Sequence, residues 1–87
     1  MSRIDKLLVR IRSNPSSVTY NQLRRVLVHH GVHIRPGRGS HRVACRGTDL
    51  YTIKDPGDAS HLHPKTVKHC LQLFGLWSDA DNERKDV

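Results

Sequence analysis

The segment from Arg35 to Arg46 carries the chain's densest chemistry: Arg35, Arg38, Arg42 and Arg46, one histidine (His41) and no acidic side chain. Planar guanidinium forks suit bidentate phosphate contacts. Gly37 and Gly39 let the backbone approach a ligand closely, and with Ser40 between them and His41 their amides can form an anion nest. An imidazole in such surroundings can take the proton from a ribose 2′-OH while guanidiniums stabilise charge on the attacked phosphate. The same residues also fit a hairpin turn with solvated arginines. His41 shares strand parity with Val43 and Cys45, so it can equally rim the core. On residue types alone both readings stand.

Other chemistries find less support. His29, His30 and His33 are close in sequence, and His61 and His63 flank a leucine, but His29 and His30 point to different helix faces and Gly31 interrupts any i, i+4 pair with His33. Without an HExxH or CxxC pattern or an acidic cluster, no metal is expected. Cys45 has no activating neighbour and Cys70 no nearby cysteine, so both are expected as free, inert thiols. Asp5, Asp49, Asp55 and Asp58 are the only acids before Trp77, too dispersed for a two-metal nuclease. Lys65 and Lys68 lie at the start of the last helix, where they can grip phosphates or simply be solvated. Aromatic residues are too few for a stacking platform.

The charge distribution sharpens this. The 87-residue chain has fifteen Lys+Arg against eight Asp+Glu, a net charge of +7, and ten of the cations are arginine. Residues 1–77 hold thirteen cations and four acids, a charge of +9, while the remainder is acidic. So basic a body repels itself and calls for a polyanionic partner. No apolar run approaches the ~20 residues of a membrane span, and the start of the chain has no signal-peptide pattern, so no membrane partner and a cytoplasmic location are expected.

These residues need elements to hold them. Ile4, Leu7, Leu8 and Ile11 repeat at helical spacing, with Ser2 and Asp5 as a cap, predicting a helix over 2–13 ended by Asn14-Pro15. Thr19 to Gln22 is a second capping box; Leu23, Val26 and Leu27 make the stripe and Gly31 the stop. Alternation then predicts strands over 32–35, 42–45 and 50–54, with turns at 36–39 and 46–49. A loop follows from Asp55 to His63. Pro64, Val67, Cys70, Leu71 and Phe74 mark a last helix ending at Gly75. The expected fold is α+β: a three-stranded antiparallel sheet with helices on one face, in a single domain over 1–77 and a mobile acidic tail over 78–87.

Thr19-Tyr-Asn-Gln-Leu-Arg-Arg-Val-Leu27, Gly31, Gly39-Ser-His-Arg-Val43, Thr52-Ile53, Pro64-Lys-Thr-Val67 and Phe74-Gly-Leu76 together resemble the HicA (YcfA-like) family of mRNA interferase toxins. The resemblance spans roughly residues 19–76; the helix over 2–13 looks like an N-terminal extension. Val32, Ala44-Cys45 and His63 depart from the family pattern. The resemblance implies a fold like a double-stranded-RNA-binding domain and a growth-arresting endoribonuclease of a type II toxin–antitoxin system. It also implies that His41 is the essential catalytic residue and that a cognate HicB antitoxin covers the active face. The expected machinery is metal- and cofactor-free. His41 acts as base, Arg38, Arg42 and the 37–40 turn (Gly37, Gly39, Ser40) hold the scissile phosphate, and Arg35, Arg46, Lys54 and Lys65 extend the mRNA track. The rival expectations are a non-catalytic double-stranded RNA-binding module and a basic adaptor for an acidic protein.

Overall fold

A computed structural model describes residues 2–57 and 60–78. Helix α1 covers Arg3–Ser13, a short 3-10 turn Pro15–Ser17, and helix α2 Tyr20–His29. Strands β1 (His33–Pro36), β2 (His41–Arg46) and β3 (Asp49–Lys54) follow, then helix α3 (Pro64–Leu73). Both capping boxes form. Ser2 Oγ accepts from the Asp5 amide at 3.1 Å, and Thr19 Oγ1 from the Gln22 amide at 3.3 Å, each reciprocated by the acidic or amide side chain. Gly31, at φ +82°, ends α2 in the left-handed region, so that the Val32 amide reaches back to the Leu27 carbonyl.

The strands lie in chain order, β1-β2-β3, each antiparallel to the next. β1 lies one residue later than the alternation reading, and β2 and β3 reach one residue further into their turns, leaving only Gly47-Thr48 between them. Ala44 pairs with Ile34 and Tyr51, and Arg42 with Pro36 and Ile53. Paired residues share a face, so Ile34, Arg42, Ala44, Arg46, Tyr51 and Ile53 lie on one side. Ala44 and Ile53 are fully buried there under α2 and α3, against Leu23, Val26, Leu27, Val67, Leu71 and Phe74. Among the described residues the opposite side of the sheet carries no helix: His33, Arg35, His41, Thr52 and Lys54 are exposed on it, and Leu50 is 54% exposed.

Two further features position the site. The segment before α3, expected as a plain loop, is pinned: His61 bridges to Thr19, the Leu62 amide donates to the Val18 carbonyl at 2.8 Å, and Leu62 is buried. His63 then caps α3, its Nδ1 accepting from the Lys65 amide at 3.1 Å. Helix α1 packs on α2 and the 3-10 turn, with Leu8 and Ile11 buried. The acidic segment expected as a mobile tail lies, beyond Ser78, outside the described residues.

Candidate functional site

The β1–β2 turn is built around His41. The Gly37 amide donates to the His41 carbonyl at 2.8 Å and the His41 amide to the Arg38 carbonyl at 3.0 Å. The Asp55 amide, donating to the Ser40 carbonyl at 2.9 Å, extends the β2–β3 ladder past His41 and steadies the turn from the other side. A Cβ on Gly37 would meet the His41 carbonyl oxygen at 3.1 Å and its Cβ at 3.3 Å, tight enough that any larger residue would push on His41. Gly39 sits at φ +60°, where L side chains are strained.

His41 is exposed, and its ring is held by a backbone bond from Nδ1 to the Arg38 carbonyl oxygen at 2.9 Å. A carbonyl oxygen only accepts, so Nδ1 carries the hydrogen in this bond. In the neutral ring Nε2 therefore presents a lone pair away from the turn, the tautomer a general base requires. Lys54 is the direct cross-strand partner of His41 on the open face, which puts their Cβ atoms ~5 Å apart. Arg35, the partner of Val43, is a diagonal neighbour on the same face, ~7–8 Å away. The exposed Arg38 guanidinium makes no hydrogen bond or ion pair among the described residues. By register His41, Arg35 and Lys54 thus share the open face, with Arg38 in the adjoining turn, and Arg35 also reaches the edge of the helix-side concavity. The parity shared with Val43 and Cys45, which left a core position open to His41, belongs to the uncovered face.

Arg42 points to the helix side. Its Nη1 donates to the Gly39 carbonyl at 3.2 Å and the His41 carbonyl at 3.0 Å, so it braces the turn from behind. It also borders a concavity of about 530 Å³ with Tyr20, Asn21, Arg24, Arg35 and Asp55. Arg24 and Asn21 were not singled out by the sequence, although Tyr20 and Arg24 are an i, i+4 pair at the mouth of a capped helix.

Arg46 and Lys65, expected along the RNA track, lie elsewhere. Arg46 is at the far end of β2, five residues or ~16 Å from His41, and on the helix-covered face. Its guanidinium donates to the His30 carbonyl at 3.1 Å and the Phe74 carbonyl at 2.7 Å, and sits 5.6 Å from the Phe74 ring centroid. It ties the ends of α2 and α3 to the sheet, satisfying carbonyls that a helix terminus leaves open. Lys65 lines a concavity with Arg12, Pro15, Lys68 and Trp77, whereas Lys54 lines a different one, of about 440 Å³, with Pro56, His61, Leu62, His63 and Thr66. The two cavities share no lining residue, so Lys65 and Lys54 border different concavities. His33, opposite Cys45, is also at the wrong end of the sheet to serve His41.

His63 holds the opposite tautomer. Because its Nδ1 accepts the Lys65 amide, the neutral ring carries its hydrogen on Nε2 and presents a donor. The only sequence signal for this cap was its place before Pro64, since proline favours the first helical position. Cys70 is buried, and desolvation pushes its thiol up to about 12; Cys45 is half-buried on the open face, and both are free. Among the described residues no three His, Cys, Asp or Glu side chains group to hold a metal ion, and no helix is long and apolar enough to cross a membrane.

Comparisons with family models, curated proteins and solved structures give no match to this chain.

Proposed function

We propose that this protein is an endoribonuclease that needs no metal: a HicA-type toxin that cuts mRNA in the cytoplasm, arrests growth and is neutralised by a HicB-type antitoxin. The observation that supports it best is the fixed tautomer of His41, with Nε2 free beside Lys54 and an unpaired Arg38. The sheet with helices on one face also agrees with a fold like a double-stranded-RNA-binding domain.

In this reading His41 Nε2 takes the proton from the ribose 2′-OH as that oxygen attacks phosphorus. The bond to the 5′-oxygen breaks, and water or Lys54 supplies the proton the leaving oxygen needs. The products are a 2′,3′-cyclic phosphate and a 5′-hydroxyl. Arg35, Arg38 and Lys54 stabilise the negative charge that builds on the phosphate, while Gly37, Gly39, Ser40 and Arg42 hold the turn in place. The scattered carboxylates Asp5, Asp49 and Asp55 offer no paired site for two-metal hydrolysis.

The test is cleavage of a labelled mRNA, with EDTA present, by the wild type and by His41→Asn. Asparagine can keep the hydrogen bond to the Arg38 carbonyl but offers no base, and the rate should fall by about 10²–10⁴-fold. An all-deoxy strand should stay intact. Full activity in His41→Asn, or activity abolished by EDTA, sinks the proposal. Tight duplex-RNA binding without cleavage by the wild type favours the non-catalytic RNA-binding module instead.

A further inference from the structure

The helical layer holds a second concentration of charge, remote from the His41 turn. Arg3, Lys6 and Arg10 follow one another along α1 at spacings of three and four residues, which places them on one face. With Arg25 of α2 they surround a concavity of about 350 Å³ floored by Leu7. All four cations are exposed, and none makes a hydrogen bond or ion pair among the described residues. The one carboxylate of α1 is turned away from them: Asp5 accepts from the Ser2 amide at 3.2 Å, and that bond lowers its pKa. No acid among the described residues lines the concavity.

Four like charges converging on one groove repel each other unless a polyanion fills it. The groove also has a length. Arg3 to Arg10 rises ~10 Å along the helix, and one strand of a nucleic-acid helix sets down a phosphate about every 3.4 Å of axis. The three cations thus span about three phosphate spacings, or about four phosphates. The apolar side of α1 is largely buried through Leu8 and Ile11, so apart from the half-buried Leu7 at its floor the groove is rimmed by charge.

We propose that the groove between α1 and α2 is a second RNA-binding site, a tether that holds the phosphate backbone of a long RNA on the helical layer while the strand is cut on the open sheet face. The proposal takes its ligand class from the ribonuclease reading, and nothing in it depends on His41.

The experiment measures binding of an uncleavable 2′-O-methyl RNA of about thirty nucleotides across a salt series, alongside cleavage of an RNA hexamer too short to span both faces. The variant Arg3→Gln/Lys6→Gln/Arg10→Gln/Arg25→Gln keeps helix propensity and removes all four charges. Its plot of log affinity against log salt should be shallower by about 2.8, at roughly 0.7 per cation on a single strand, with hexamer cleavage unchanged. The charge-preserving variant Arg3→Lys/Arg10→Lys/Arg25→Lys should retain the wild-type slope, which separates lost charge from a disturbed fold. An unchanged slope in the glutamine variant overturns the proposal. So does an unchanged RNA slope with lost binding to polyglutamate, which would assign the groove to an acidic protein. Wild type leaving the hexamer intact would count against the ribonuclease reading, and the slope would still decide the groove.

Discussion

Replacing Arg46 separates stability from substrate contact at a residue whose charge invites confusion of the two. In Arg46→Met the stem is nearly kept, but the hydrogen bonds to the His30 and Phe74 carbonyls and the contact with the Phe74 ring are lost. Hydrogen bonds from charged groups are worth about 1.5–3 kcal/mol each, and the partial exposure of Arg46 argues for about 1 kcal/mol apiece. A cation–π contact adds ~0.5–1 kcal/mol, and a cation at a helix C-terminus ~0.3–1 kcal/mol. The total is about 3 kcal/mol, against the ~4–13 kcal/mol expected for a domain of this size. The melting temperature should fall by ~12–24 °C. Urea unfolding at 25 °C gives the free energy directly, and RNA affinity is measured at a temperature where both proteins are folded. Arg46→Lys should recover about half the loss, since one ammonium does not span two carbonyls as a fork does. A stability loss below ~1 kcal/mol with a tenfold weaker RNA affinity would refute the argument and return Arg46 to the RNA track.

Three further outcomes follow from the same geometry. Gly37→Ala, pressing a methyl against the His41 carbonyl and Cβ, should lower RNA cleavage at least tenfold at a cost of only ~1–2 kcal/mol in stability; unchanged cleavage kinetics would mean the turn does not aim His41. Cys70 should govern alkaline unfolding. Burial pushes its native thiol up to about 12 from the usual 9.0, so above pH 9 the unfolded state loses a proton the native state keeps, and stability falls by up to ~1.4 kcal/mol per pH unit until native ionisation near pH 12. Urea midpoints between pH 9 and 10 should fall in the wild type and fall less steeply in Cys70→Ala, where Tyr20 and Tyr51, raised above 10.0 in the native state, still contribute. At the acid end the Asp5 carboxyl, held below 3.8 chiefly by the Ser2 amide, supports α1 above that pH and ceases to as the pH falls through its native value; helicity of Asp5→Asn should therefore lack the acid-induced drop seen in wild type.

The elements were legible because their ends are chemically marked. Ser2–Asp5, Thr19–Gln22, Pro64 and the glycines after α2 and α3 each fix a boundary through a local hydrogen bond or a backbone angle. The faces of β2 were not legible. By hydropathy Val43 and Cys45 belong inside and Arg42 and Arg46 outside, yet the buried residue is Ala44, flanked by the two arginines. A small side chain lets α2 and α3 lie close over the central strand, and the long arginine stems carry their charges out to backbone carbonyls at either end. That inversion depends on what the helices place across from β2, which no local pattern contains. For the same reason His41 was found by its turn chemistry while its tautomer was not, since the acceptor at Arg38 exists only once the turn has closed. His63 was hidden similarly: a histidine before proline does not announce which nitrogen caps the helix.

The two ends of β2 also differ in how far along the chain they reach. The His41 turn closes through contacts between residues three, four and fifteen apart, Arg38–His41, Gly37–His41 and Ser40–Asp55. Arg46 closes over sixteen and twenty-eight residues, to His30 and Phe74. Loop-closure entropy rises with separation, so the hairpin bearing the histidine is the cheaper structure to form and the helix-end clasp the later one. A chain emerging during synthesis can shape the turn as soon as Asp55 is free, but cannot lock the sheet under its helices until Phe74 follows. Pulse-labelled hydrogen exchange would register that order as early protection of the Gly37 and His41 amides and late protection at the end of α3.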